Sequence, residues 1–230
     1  MSMLGRPILT QANLANHVAS LSTQDAIWSP LYDYQSYGTQ GGTQFNFFTA
    51  PIGQGTTSAP GASGTKTIAD TNMTSAGQLT KGNKFFCTGI EVLLFPGIEC
   101  GRGSVALADV GLFVDDIYTI GKSGNLEFKV GSDRWYAKDG PLNMFPPVTR
   151  LAVSSAISNT FDSDSTATAV VQETQYAAWS GEPYSITPVM IDDNQGFQVQ
   201  LNWPVAVAPP STVAPRIGVR LRGYLIRNAQ

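Results

Sequence analysis

The sequence predicts an all-β chain folded as an antiparallel two-sheet sandwich. Three observations predict it. Short runs of alternating or doubly apolar residues recur from residue 31 to the C-terminus, Gly and Pro clusters separate them, and no strong helical periodicity appears after residue 80. Strands without helices of roughly 10–15 residues between them argue against a parallel βαβ sheet. At 230 residues the chain is expected to hold one large domain, 31–230, preceded by an arm, 1–30.

The arm carries TQANLANHVASL, in which Leu14, Val18 and Leu21 share a helical face and Thr10 is a candidate N-cap, so a short helix or docking arm is expected there. Beyond Pro30 the text turns to aromatics interleaved with glycine, LYDYQSYGTQGGTQFNFF, with Gly41 and Gly42 marking a turn and Phe45 and Phe47 opening a strand. Residues 53–66, GQGTTSAPGASGTK, have loop composition and read as exposed or mobile. ADTNMTSAGQL reads as a short helical turn capped by Asp70 or Thr71 and ended at Gly77. The stretch KFFCTGIEVLLFPG, 84–97, is apolar on both parities, as expected of a strand covered on both faces. Further strands are expected at SVALADVGLFVDD, at NLEFKV with Leu126, Phe128 and Val130 inward, and at RLAVSSAIS, TATAVVQETQY, YSITPVMI, GFQVQLNWP and RIGVRLRGYLIR. With no internal repeat visible, an eight-stranded jelly roll is the closest simple match.

Composition bears on function. Charged residues make up 13% of the chain, against roughly 25% in an average soluble domain. Such a surface is poorly soluble unless partners cover much of it, which points to assembly. A secreted β-protein rich in neutral polar residues is the competing reading. The net charge of −3 provides no global field for a free nucleic-acid binder. Neither a signal peptide nor a membrane span is visible, so a soluble intracellular product is the expectation. Cys87 and Cys100 are the two cysteines, expected as reduced thiols.

Catalytic chemistry finds little to use. His17 is the sole histidine and lies in the arm, and no GxSxG surrounds a serine. The tripeptide GKS at 121–123 lacks the glycine a phosphate loop needs, because Asp116 stands in that place. Asp115 with Asp116, Asp162 with Asp164, and Asp192 with Asp193 could serve a glycosidase or calcium, yet each pair sits where a strand would turn. Asp162 and Asp164, in FDSDS, are the calcium candidates among them. The expectation is a non-enzyme without cofactor.

Two surface features stand out. Arg216, Arg220 and Arg222 share one parity of the last strand, with Arg227 close behind. This cluster could touch phosphate, or it could be a solvated or salt-bridged edge face; the second is favoured, since no aromatics interleave on that face. In GFQVQLNWP, Phe197, Val199, Leu201 and Trp203 alternate with Gln198, Gln200 and Asn202, so the polar face is made of neutral carboxamides. Its contact is the open question.

The block LYDYQSYGTQGGTQFNFFTAPIGQG, then KTIADTNMTSAGQL, then FFCTGIEVLLFPG, resembles coat proteins of small tailless icosahedral bacteriophages with single-stranded DNA genomes, across residues 31–97. The resemblance implies a single jelly roll and a major capsid protein, many copies of which, with other virion proteins, form a shell assembled in the host cytoplasm. It implies that Gln198, Gln200 and Asn202 can hydrogen-bond across a contact without burying charge, the contact being a neighbouring subunit, the GQGTTSAPGASG loop or the shell's interior surface. It also implies contact with packaged nucleic acid, for which the Arg216, Arg220, Arg222 and Arg227 cluster is the candidate. Unlike many viral coats, the first 65 residues hold a single Arg, Arg6, and no Lys, so a polybasic arm is not the route to genome packing. The alternative function is a carbohydrate-binding or adhesive sandwich stacking Tyr32, Tyr34, Tyr37, Trp135 and Trp179 on sugar rings.

Overall fold

Alternation of apolar and polar residues becomes strand pairing in the computed structural model, which describes residues 24–59, 62–95, 112–131, 136–145, 149–160, 168–179, 183–210 and 214–228. The chain is mostly β, with two antiparallel sheets and very little helix. In order the strands are β1 (Gln24–Trp28), β2 (Leu31–Ser36), β3 (Gln44–Phe47), β4 (Lys84–Phe95), β5 (Asn125–Val130), β6 (Tyr136–Pro141), β7 (Thr149–Thr160), β8 (Thr168–Trp179), β9 (Tyr184–Ile191), β10 (Phe197–Asn202) and β11 (Arg216–Asn228). One helix, α1 (Leu112–Gly121), precedes β5, and a 3₁₀ turn (Leu142–Met144) follows β6.

Sheet A runs β1-β11-β4-β9, with β2 pairing the same flank of β11 as β1. Sheet B runs β3-β10-β5-β6, and β7 with β8 forms a separate hairpin. The pairing is nested: β2 meets β11, β3 meets β10, β4 meets β9, and β5 meets β6. The Gly41-Gly42 turn leads into β3 at Gln44, as the glycines predict. Within the expected arm, Gln24–Trp28 are themselves a strand of sheet A. The helix expected at TQANLANHVASL falls on residues outside those described.

The sheets close on one apolar core. Phe47, Leu126, Phe128, Phe197, Val199 and Leu201 from sheet B meet Phe85, Cys87, Ile90, Val92, Leu94, Ile217, Val219 and Leu221 from sheet A. Burying each such side chain contributes about 1.5–3 kcal/mol, against the conformational entropy of ordering it. The polar partners of these residues alternate outward, as in two sheets packed face to face.

Three expectations need correction. The doubly apolar β4 is covered on both faces, as expected, but its residues do not alternate regularly between them. Gly89 pairs with Arg222 while Cys87 pairs with Gly223, so Thr88 is an extra residue in the ladder. This bulge switches parity and turns Phe85, Cys87, Ile90, Val92 and Leu94 all inward, leaving Phe86, Leu93 and Phe95 on the outer face. Second, FVDD ends no strand: Leu112–Gly121 is helical, placing buried Asp116 within a helix and not at a turn. Ile117 and Ile120 recur three residues apart and pack on the core, a periodicity hidden because it begins where the alternating text ends. Third, the helical turn at ADTNMTSAGQL does not form. A single turn closes earlier, with Thr71 N–H donating to Thr67 O at 3.0 Å, and Ser75 and Gln78 then bridge across a tight turn at Ala76 and Gly77.

Candidate interaction surfaces

The outer face of sheet B is built by the register of β10 against its neighbours. Gln200 lies opposite Asn46 of β3 and Glu127 of β5, Asn202 opposite Gln44 and Asn125, and Gln198 opposite Lys129. Period two sends all of these away from the core. Gln44 Nε2 donates to Asn46 Oδ1 at 3.1 Å, Gln200 Nε2 to Asn202 Oδ1 at 2.9 Å, and Lys129 Nζ to Gln200 Oε1 at 3.1 Å. Lys129 also pairs with Glu127 at 2.8 Å, so the charges at the centre of the face cancel. The result is a face of carboxamides that order one another and keep spare donors and acceptors.

The outer face of sheet A is different. Cross-strand rows set Phe95 beside Arg216 and Ser36, Leu93 beside Gly218 and Tyr34, Glu91 beside Arg220 and Tyr32, and Phe86 beside Tyr224 and Trp28. Gly218 is required by close approach: a Cβ there would lie 2.2 Å from the Tyr34 ring. With that space open, Tyr34 lies across β11 and the Arg216 guanidinium stacks over it, 4.1 Å from the ring centroid.

The arginines on this face are matched by acids. Arg220 Nη1 donates to Glu91 Oε2 at 3.1 Å, and Arg222 pairs with the other oxygen of the fully buried Glu91. Arg216 reaches Asp70 at 3.5 Å and donates to Ser58 Oγ at 2.7 Å and to Ala69 O at 2.6 Å. The salt-bridged reading of the cluster thus describes these three. The edge placement does not, since β11 is the central strand of sheet A. Aromatics do interleave on the face, supplied by neighbouring strands and so invisible in the β11 text. Arg227 is exposed, on the opposite parity, across from Asp25.

A third cluster was not anticipated. Asp33, fully buried, accepts from Phe48 N–H at 2.6 Å and pairs with Lys66, which is itself buried. Phe48 has φ 67, a left-handed backbone that an L-residue adopts under constraint. Burial raises the Asp33 carboxyl above its ordinary range, with the Lys66 ammonium opposing it. Asp70 accepts from Ser58 N–H and Thr67 N–H, each at 2.9 Å, and from the Ser58 and Thr57 hydroxyls. Burial alone would raise the Asp70 carboxyl; the bonds from Ser58, Thr67 and Thr57 prevail and hold it well below the usual carboxylate range. These contacts pin the 53–66 loop at Thr57, Ser58 and Lys66, so it is exposed over much of its length but anchored to sheet A. The signal available in sequence was Lys66 itself, the first lysine in the chain, with Asp70 a turn beyond.

Other candidates are dispersed. Tyr37 is buried and burial pushes its hydroxyl up to about 12, Tyr34 is covered by Arg216, and the Tyr32 hydroxyl donates to Ile68 O at 2.6 Å. These rings offer no row of free faces for sugars; Trp135 and the Trp179 side chain lie outside the described residues. So do His17, Cys100 and the calcium candidates Asp162 and Asp164. Cys87 is a free, buried thiol that burial pushes up to about 12. Asp192 and Asp193 do sit in a turn, where Asp192 pairs with Lys84 at 2.9 Å and Asp193 accepts from Gly82 N–H at 2.6 Å. Among the described residues no three His, Cys, Asp or Glu side chains gather as a metal site, and no helix is long and apolar enough to cross a membrane. Comparison with protein-family models, curated proteins and solved structures returned no match.

Proposed function

We infer that this chain is a jelly-roll capsid protein, which self-assembles with other virion proteins into an icosahedral shell around a bacteriophage genome. The nested pairing supports the jelly-roll part: a long antiparallel ribbon whose halves pair in reverse order, rolled into β2-β11-β4-β9 and β3-β10-β5-β6, is how eight strands make two such sheets. The likeness of residues 31–97 to phage coats supports the same reading.

The observation that carries the function is the outer face of sheet B. Its rows of Gln44, Asn46, Gln198, Gln200 and Asn202 can each donate and accept, so the face is complementary to neutral polar surface, including that of identical chains. Covering it costs less desolvation than covering a charged face of equal size. Genome contact draws less on the arginines than their number suggests. Phosphate would have to displace Asp70 from Arg216, or share Arg220 and Arg222 with Glu91. Cations or other virion proteins then carry most of the neutralisation.

The test is negative-stain microscopy with sedimentation of the purified chain. Closed particles or capsomers are expected. A monomer of 24.5 kDa that persists at high concentration, with or without nucleic acid, refutes the reading.

A further inference from the structure

We propose that β1 is the strand through which two copies of this chain join, Gln24–Trp28 pairing antiparallel with the same strand of a second copy. The proposal rests on the self-assembly reading and names the contact. Ser29 N–H donates to Gly223 O at 3.3 Å, which phases the ladder so that Ile27 with Leu225 and Asp25 with Arg227 are the mutually bonded pairs. The backbone N–H and C=O groups of Gln24, Ala26 and Trp28 therefore point away from β11. No described strand lies beyond them.

The other borders of the two sheets are blunted in ways known to discourage pairing. The flank of β2 is occupied by 67–72, with Tyr34 N–H donating to Asp70 O at 2.8 Å and Tyr32 N–H to Asn72 Oδ1 at 3.1 Å. On β3 the Asn46 carbonyl already accepts from Gln35 Nε2. β9 contains Pro188 at a break in its register, and β6 carries Lys138, Asp139 and Pro141. β1 has none of these devices: its sole charge is Asp25, set across from Arg227. Ile27 and Trp28 are 39% and 51% exposed and lie on opposite faces of the strand, so an incoming strand meets an apolar side chain above and below.

A second copy is the occupant these features fit. A two-fold axis through Ala26 sets Ala26 against its counterpart and Gln24 against that of Trp28, which satisfies every outward backbone group at once. The same register places each Asp25 opposite an Ile27, keeping the like charges apart. An isologous contact of this kind closes on itself. The single charge of β1, Asp25, lies across the ladder from Arg227, so the strand offers little charge by which a foreign sequence would be selected.

The experiment compares Ala26→Pro with the unmodified chain. The substitution deletes an outward N–H and leaves the bonds to β11 in place, a position where an edge strand tolerates proline. Sedimentation over a concentration series should show association weakened about tenfold or more, with an unchanged thermal midpoint for the dispersed chain. Hydrogen exchange on the unmodified chain should show the Ala26 and Trp28 amides protected on assembly and fast when dispersed. Unimpaired association of the variant together with fast exchange of both amides in assembled chains overturns the proposal. So does protection of those amides in dispersed monomer, which would mean another segment of the same chain already covers β1. Absence of any association by the unmodified chain is a different result, since it removes the shell reading itself.

Discussion

Asp33 and Lys66 are both withdrawn from water and joined to each other, so neither can lose its partner cheaply. Lys66→Met should lower stability by about 3–5 kcal/mol, read as a fall in the urea midpoint. It should also free the 53–66 loop to proteolysis, because Lys66 is one of its anchors. Asp70 adds a pH dependence with a definite sign. Its folded carboxyl titrates below the unfolded value, so its stabilisation is complete above about pH 4 and fades as pH falls toward the folded value. Asp33 acts in the opposite sense. Its raised carboxyl favours the folded state at low pH, and that advantage is lost as pH rises through the folded value. Urea midpoints measured from about pH 6 down to about pH 2 should therefore separate the two. The deficit of Asp70→Asn relative to the unmodified chain should shrink as pH falls, whereas a deficit constant across the range would remove Asp70 from the account.

At the scale of elements, β4 is organised around one residue. Thr88 carries the parity switch that sends Phe85 and Cys87 to the same side as Ile90, Val92 and Leu94. Deleting Thr88 should turn Phe85 and Cys87 outward and Phe86 inward, a rearrangement of the core that few proteins survive. The expected readout is loss of cooperative thermal unfolding and rapid reaction of Cys87 with a thiol reagent in a Cys100→Ser background. Slow, unfolding-limited reaction would show that the core had kept its arrangement. The same bulge explains what could be read from sequence. The strand texts at 125–130, 197–202 and 216–222 were legible because alternation there is unbroken, and burial follows it, whereas 184–191 reads as a strand although its register breaks at Pro188. β4 was legible as a strand but not in its facing, since nothing in KFFCTGIEVLLF marks Thr88 as the extra residue. α1 was missed because its apolar repeat, Ile117 and Ile120, begins where the alternating text ends. The pinned loop was missed for another reason: Asp33, Lys66 and Asp70 meet through tertiary contact, and local composition at 53–66 records only small polar residues. The arginine rows were half legible, because the acids were expected but Tyr34 and Phe95 come from strands distant in the chain.

For the molecule as a whole, the prediction concerns salt. Contacts made by a carboxamide face and by a strand edge should respond weakly to ionic strength, because few free charges take part. Raising NaCl from about 0.1 M to about 1 M should change the apparent association constant by less than about tenfold. A fall of several orders of magnitude would assign the contact to the arginine face instead. The placement of β1 and β2 on β11 has one more consequence. Within sheet A the strands at 24–28 and 31–36 pair only with residues 216–228, so the larger sheet stays incomplete until that much later stretch has been synthesised. Long-range closure of this kind is slow. A chain still without β11 would therefore lack the flank proposed to bind neighbours, and synthesis would be separated in time from premature polymerisation.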